Sequence, residues 1–140
     1  MSDRPTIHLT NWSSPKFHGP GRKWTIMARP RAWEHGDGQV RNLMPPLHLL
    51  RAVKDGSITV GAYFAELERE WARSASLLAP GLLRWVSRDM GIDVDAGDVE
   101  DGDTLCCACA RGAPCHRRAA APFLVRAGWR VILDGVEVTE

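Results

Sequence analysis

Hydrophobic and polar positions change period several times along the chain, and each change predicts an element. Residues 6–10, Thr-Ile-His-Leu-Thr, are apolar and β-branched, as a short strand requires. Residues 11–22 break that pattern with Gly, Pro and Ser and read as a loop. Alternation resumes over 23–28 and predicts a second strand. Residues 29–43 read as irregular loop. Pro45 and Pro46 are placed to open a helix over 47–54, which Gly56 would end. Thr59 is the expected N-cap of the clearest helix, 60–74, where Tyr63, Phe64, Leu67 and Trp71 form a core-facing stripe. Pro80 starts a further expected helix, to Met90.

The acidic stretch 93–103 reads as a solvated loop. It does not fit a calcium-binding loop, because Gly97 and Asp98 stand in reverse order and no Glu closes it. Residues 104–108 predict a central strand, 114–127 a helix and 130–133 a final strand. Pro122 inside that helix predicts a kink or a split. Strand, helix and strand in this order make a βαβ unit, with parallel strands and a right-handed crossover. The expected fold is therefore α/β: one domain over residues 1–140, a mostly parallel sheet, and helices packed on its faces.

At 140 residues the chain can bury a core without disulfide staples. No stretch approaches the roughly 20 apolar residues of a membrane span. The first residues lack an apolar signal core, so the expected location is cytoplasmic, with no membrane partner. There the cysteines stay reduced, which favours metal binding or thiol chemistry over disulfides. Net charge is +1, but residues 1–54 carry nine Lys/Arg against three Asp/Glu, whereas residues 55–103 carry four against eleven. A basic front half suits anionic ligands.

All four cysteines fall between Cys106 and Cys115. Strand alternation puts Cys107 and Cys109 on one side and Cys106 on the other, so Cys106 is the expected inert thiol. Pro114 fits a first helical turn, which places Cys115 and His116 near the helix's positive end. Such a position stabilises a thiolate or an anion. Of Arg117 and Arg118, one is expected to face the cleft and the other solvent.

The pattern Leu-Cys-Cys-x-Cys-x5-Cys-His-Arg, followed by a helix and Gly128, resembles the C-terminal signature of the domain-of-unknown-function family 488. Cys107, Cys115, His116 and Arg117 match that signature, and Cys109 stands where many members have Glu. A shorter subgroup, similar to phage-encoded members, has Cys there. Thr10-Asn11-Trp12, the Gly19-Pro20-Gly21-Arg22 loop and the strand at Trp24 also resemble that subgroup. The resemblance implies a small intracellular α/β domain and no settled reaction.

Three readings of the cluster compete. In the first, Cys115 or Cys107 is a nucleophile, His116 a proton carrier and Arg117 an anion holder, in a thiol-dependent transferase or hydrolase. In the second, Cys107, Cys109, Cys115 and His116 ligate a metal, and three thiolates with one imidazole suit zinc. In the third, the cysteines merely pack, and His116 and Arg117 make structural hydrogen bonds.

Ligands of open α/β sheets bind beyond the carboxyl ends of the strands. The loop after the first strand offers Ser13, Ser14, Lys16, His18 and Arg22 for a phosphate, although it is not a Walker loop. Trp12 beside these charges suits stacking on a base. The expected partner is thus a nucleotide-like, phosphate-bearing small molecule, and the first function hypothesis is an enzyme acting on it. The alternative is a non-catalytic, zinc-stabilised module that binds a nucleotide or nucleic acid.

Overall fold

The computed structural model describes residues 4–27, 38–89, 92–107 and 116–139. Eight strands form one sheet in the order β5-β4-β3-β2-β6-β1-β7-β8. In chain order these are β1 (Thr6–Asn11), β2 (Lys23–Thr25), β3 (Gly38–Gln39), β4 (Arg84–Asp89), β5 (Ile92–Asp98), β6 (Thr104–Cys107), β7 (Arg130–Leu133) and β8 (Val136–Val138). The helices are α1 (Leu47–Lys54), α2 (Val60–Arg73) and α3 (His116–Ala127).

The α/β class expected from sequence is present, but the sheet is mixed. β3, β2, β6, β1 and β7 run parallel, while β4, β5 and β8 join antiparallel. The antiparallel strands come from two expectations that the structure overturns and one strand the pattern missed. Residues 80–89 are not a helix. Gly81 adopts φ +83° in a turn, and Trp85 on β4 stacks on Trp24 with ring centroids 4.1 Å apart. Residues 92–98 are not a loop. Ile92, Val94 and Ala96 alternate with Asp93 and Asp95, which is the strand period. β8 follows the two-residue turn Asp134-Gly135, both at positive φ, the mirror-image geometry that suits a hairpin.

Thr59 does cap α2, its Oγ1 accepting from the Ala62 amide at 3.1 Å. Pro122 neither splits nor ends α3. The missing N–H leaves only the carbonyl of exposed Arg118 without its helical partner, and water can serve it there.

Alternation divides the central strands cleanly. Ile7, Leu9, Leu105 and Cys107 point to the side that α3 covers, where Leu124 and Trp129 are also buried. α2 packs on α3 through Trp71 and Phe123, 5.8 Å apart. The opposite side carries His8, Thr104 and Cys106, and the loop at residues 12–22 crosses it. There the Gly19 amide donates to Thr104 Oγ1 at 2.8 Å. A Cβ at Gly19 would sit 2.3 Å from the His8 ring, so only glycine lets the loop lie this close.

The chain leaves β1 past β6 to reach β2, and leaves β6 past β1 to reach β7. These two crossovers run in opposite directions. Connections therefore diverge at the carboxyl ends of β1 and β6, at Asn11 and Cys107, where open α/β sheets form their clefts.

Candidate functional site

Cys107 ends β6 in the middle of the sheet and is fully buried. Its sulfur accepts a hydrogen bond from Arg117 Nη1 at 3.0 Å. Arg117 comes from the first turn of α3, whose start lies over the same edge. Its Nη2 donates to Asp134 Oδ2 at 3.1 Å, with the two side chains 10% and 28% exposed. Asp134 follows β7, held at φ +47° in the hairpin turn, and its Oδ1 accepts from Thr10 Oγ1 at 2.9 Å. Its amide donates to the Leu9 carbonyl at 2.9 Å. Three consecutive hydrogen bonds thus tie Thr10, Asp134, Arg117 and Cys107 together at one edge, linking β1, the turn after β7, α3 and β6.

His116 is buried at the start of α3, with Nε2 2.7 Å from the Ile26 carbonyl. A carbonyl only accepts, so Nε2 carries the proton and Nδ1 keeps a lone pair. Burial pushes the His116 pKa below its ordinary value, and Arg117 acts in the same direction. The Cys107 sulfur and the Ile26 carbonyl oppose them. The ring is a neutral imidazole, able to take a proton or bind a metal through Nδ1.

Cys106 faces the other side, as expected, with its sulfur 3.9 Å from His18 Nε2. Burial pushes its thiol up to about 12, helped by the Cys107 sulfur and opposed by Lys23. It is an inert thiol at neutral pH.

The residues expected to bind phosphate do not all come together. Asn11 Oδ1 accepts from the Ser13 amide and hydroxyl, both at 3.0 Å, which turns the chain beside Cys107. The Trp12 amide donates to the Cys107 carbonyl at 2.8 Å, and the Trp12 ring meets His18 edge-on at 6.3 Å. Ser14 accepts from the Phe17 amide in a 3-10 turn at Pro15–Phe17, and Lys16 Nζ lies 5.0 Å from the Phe17 ring.

Arg22 is elsewhere. It sits at the start of β2, where its carbonyl accepts from the Thr104 amide at 2.8 Å. Cys107 is three residues further along β6, roughly 10 Å away. Arg22 therefore lies at the amino edge of the parallel strands, and its guanidinium rests 5.9 Å from Trp24 and 5.6 Å from Trp85. Arg118 is the exposed member of the arginine pair and Arg117 the buried one.

Cys109 and Cys115 lie outside the described residues, so the four-ligand metal set is represented here by Cys107 and His116. Among the described residues no three His, Cys, Asp or Glu side chains gather as a metal site. No helix among them is long and apolar enough to cross a membrane.

Sequence reasoning missed Thr10 and Asp134. The Asp-Gly pair after an apolar run was a legible hairpin signal. It would have placed Asp134 beside the end of β7, although not its grip on Arg117. Comparison with family models, curated proteins and solved structures finds no match to this chain.

Proposed function

We propose that this protein is a thiol-dependent enzyme, a transferase or hydrolase, whose nucleophile is the Cys107 thiolate. One observation carries the reading: the Arg117 guanidinium donates to the Cys107 sulfur at 3.0 Å while Asp134 holds it from the other side. A guanidinium stays charged at any working pH, and a cation in contact with sulfur favours thiolate over thiol. Neutral His116, on the same edge, is the proton carrier. Arg117 thereby moves from the anion-holding role expected of it to activating the nucleophile.

A phosphate-bearing, nucleotide-like substrate fits the carboxyl edge, with the first turn of α3 and the loop of Ser13, Ser14, Lys16 and His18 around it. Kinship with family 488 and a reducing, cytoplasmic setting belong to the same proposal.

A second reading rests on one specific contact. Metal-bound imidazoles commonly donate their other N–H to a backbone carbonyl, as His116 does to Ile26. In that case Cys107 and His116, with Cys109 and Cys115, would hold zinc in a module that binds a nucleotide or nucleic acid.

Elemental analysis of protein purified without added metal, with site-resolved alkylation by iodoacetamide, separates the two. The enzyme reading expects no stoichiometric metal and faster labelling of Cys107 than of neighbouring Cys106. About one zinc per chain, with Cys107 protected until a chelator is added, would replace it with the binding module.

A further inference from the structure

Asp134 reaches Arg117 from a two-residue turn at the margin of the sheet, and such a turn does not hold itself still. β8, which follows it, is a three-residue edge strand on which Val136 and Glu137 are exposed. Asp134 sits at φ +47°, a conformation that a non-glycine residue keeps only where its surroundings impose it. β1 supplies two anchors. The Leu9 carbonyl accepts from the Asp134 amide at 2.9 Å, and Thr10 Oγ1 donates to Asp134 Oδ1 at 2.9 Å. Both act on Asp134, and neither restrains Gly135 beside it, at φ +84°.

The third anchor is Phe17. A Cβ added at Gly135 would lie 2.8 Å from both Cδ1 and Cε1 of Phe17, so the ring rests directly on the Gly135 backbone. Glycine is required there twice, by its φ and by the ring. Phe17 does not belong to the hydrophobic core formed by the described residues, so this contact accounts for its half-buried ring. The ring is itself held in place. The Phe17 amide donates to the Ser14 carbonyl at 3.0 Å, closing the 3-10 turn. His18 Nε2 then lies 3.3 Å from the Asn11 carbonyl, and the Gly19 amide donates to Thr104 Oγ1 at 2.8 Å. The loop is thus tied to β1 and β6 next to the residue that meets the hairpin turn.

We propose that Phe17 is a positioning residue: its ring on Gly135 fixes the turn that aims Asp134 at Arg117, and through Arg117 it sets the state of Cys107. The inference rests on the reading of Cys107 as the nucleophile and adds to it what holds the activating pair. The two hydrogen bonds it governs are 3.1 Å, Arg117 to Asp134, and 3.0 Å, Arg117 to the sulfur. Such bonds weaken steeply with angle, so a small rotation of the turn is enough to misdirect the guanidinium. Phe17 acts without touching the sulfur. Lys16 and His18 flank it in sequence, so the segment offered to an anionic substrate is the same one that holds the nucleophile's activating pair.

The test compares the native protein with Phe17→Ala and Phe17→Leu by two readouts. One is hydrogen exchange of the Arg117 guanidinium protons, followed by NMR. The other is the pH dependence of Cys107 alkylation by iodoacetamide. In Phe17→Ala the Arg117 protons should exchange at least about tenfold faster, the worth of one charge-assisted hydrogen bond, and Cys107 alkylation should move to higher pH. Phe17→Leu keeps an apolar group on Gly135 and should show both changes to a smaller degree. Phe17 lies outside the core, so both variants should keep their fold, which the backbone amide spectrum reports directly. Arg117 protons as protected as before in both variants would overturn the proposal. So would protection lost equally across the amides of the sheet, which would make Phe17 merely structural, or a loosened Arg117 with Cys107 alkylation unmoved. A Cys107 that is unreactive in the native protein would count against the enzyme reading alone, and Arg117 exchange would still decide whether Phe17 positions the pair.

Discussion

Each edge of the parallel strands carries an arginine bound to an aspartate, and the two pairs do different work. At the amino edge, Asp103 Oδ1 accepts from the Arg22 amide at 2.9 Å, while Oδ2 accepts from Trp24 Nε1 and the Glu100 amide, both at 2.8 Å. The carboxylate is saturated by groups that fix the chain, and the Arg22 guanidinium lies against two tryptophan rings instead. At the carboxyl edge, Asp134 grips a guanidinium, and that guanidinium reaches a sulfur. The first pair joins strands. The second aims a charge at a potential nucleophile. Residue type alone does not distinguish them; what the carboxylate accepts from does.

The largest effect is expected at Asp103. Asp103→Ala removes the acceptor of three N–H groups, one of them a buried indole, and should cost about 3 kcal/mol in urea unfolding. The ionisation of Cys107 should not change, because Asp103 lies four residues earlier along β6, roughly 13 Å away. An altered Cys107 would show that the two edges are coupled.

Arg117→Met should cost less, about 2 kcal/mol. The Asp134 carboxylate it leaves behind is 28% exposed and can recover water. Unlike the Asp103 variant, it should change the behaviour of Cys107, shifting its alkylation to higher pH. A protein that lost stability while Cys107 behaved as before would make Arg117 purely structural.

Arg22→Ala removes one guanidinium from the two tryptophan rings and should cost about 1 kcal/mol or less. Thermal unfolding with and without phosphate should show the same small loss in both.

The smallest effect concerns pH and His8, beneath Gly19. Burial lowers the His8 pKa from its ordinary value, Arg130 acts the same way, and Asp101 opposes them. The folded protein therefore takes up this proton at lower pH than the unfolded chain. Stability contributed by neutral His8 is complete above about pH 6.5 and falls as the pH drops from there toward the lowered folded value. His8→Gln should flatten that part of a stability profile, and an unchanged slope would assign it to another group.

Much of the site's framework was legible in the sequence. Strand alternation separated Cys107 from Cys106, and the helix start brought His116 and Arg117 to the same edge. The α2 stripe and its Thr59 cap followed from helical spacing. What was not legible depended on contacts between distant segments. Leu82, Leu83, Trp85 and Val86 suit a helix as well as a strand, and only stacking on Trp24, some 60 positions earlier, selects the strand. β3 is two residues long, too short to show a period. Arg22 looked like a phosphate ligand because its loop follows β1. That loop runs the full height of the sheet, so its far end arrives at the opposite edge. Asp134 joins Cys107 only through the parallel placement of β7 beside β1, which no local pattern encodes.

On the proposed reading, Arg117 holds Cys107 as a thiolate. The most direct measurement is a pH titration of isotope-labelled cysteine Cβ resonances by NMR, in the native protein and in Arg117→Gln. Cys107 is expected to be ionised at neutral pH in the native protein and protonated in the variant, while Cys106 stays a thiol to about pH 12 in the native protein. A Cys107 that remains a thiol at neutral pH, or an ionisation that ignores the loss of Arg117, would contradict it.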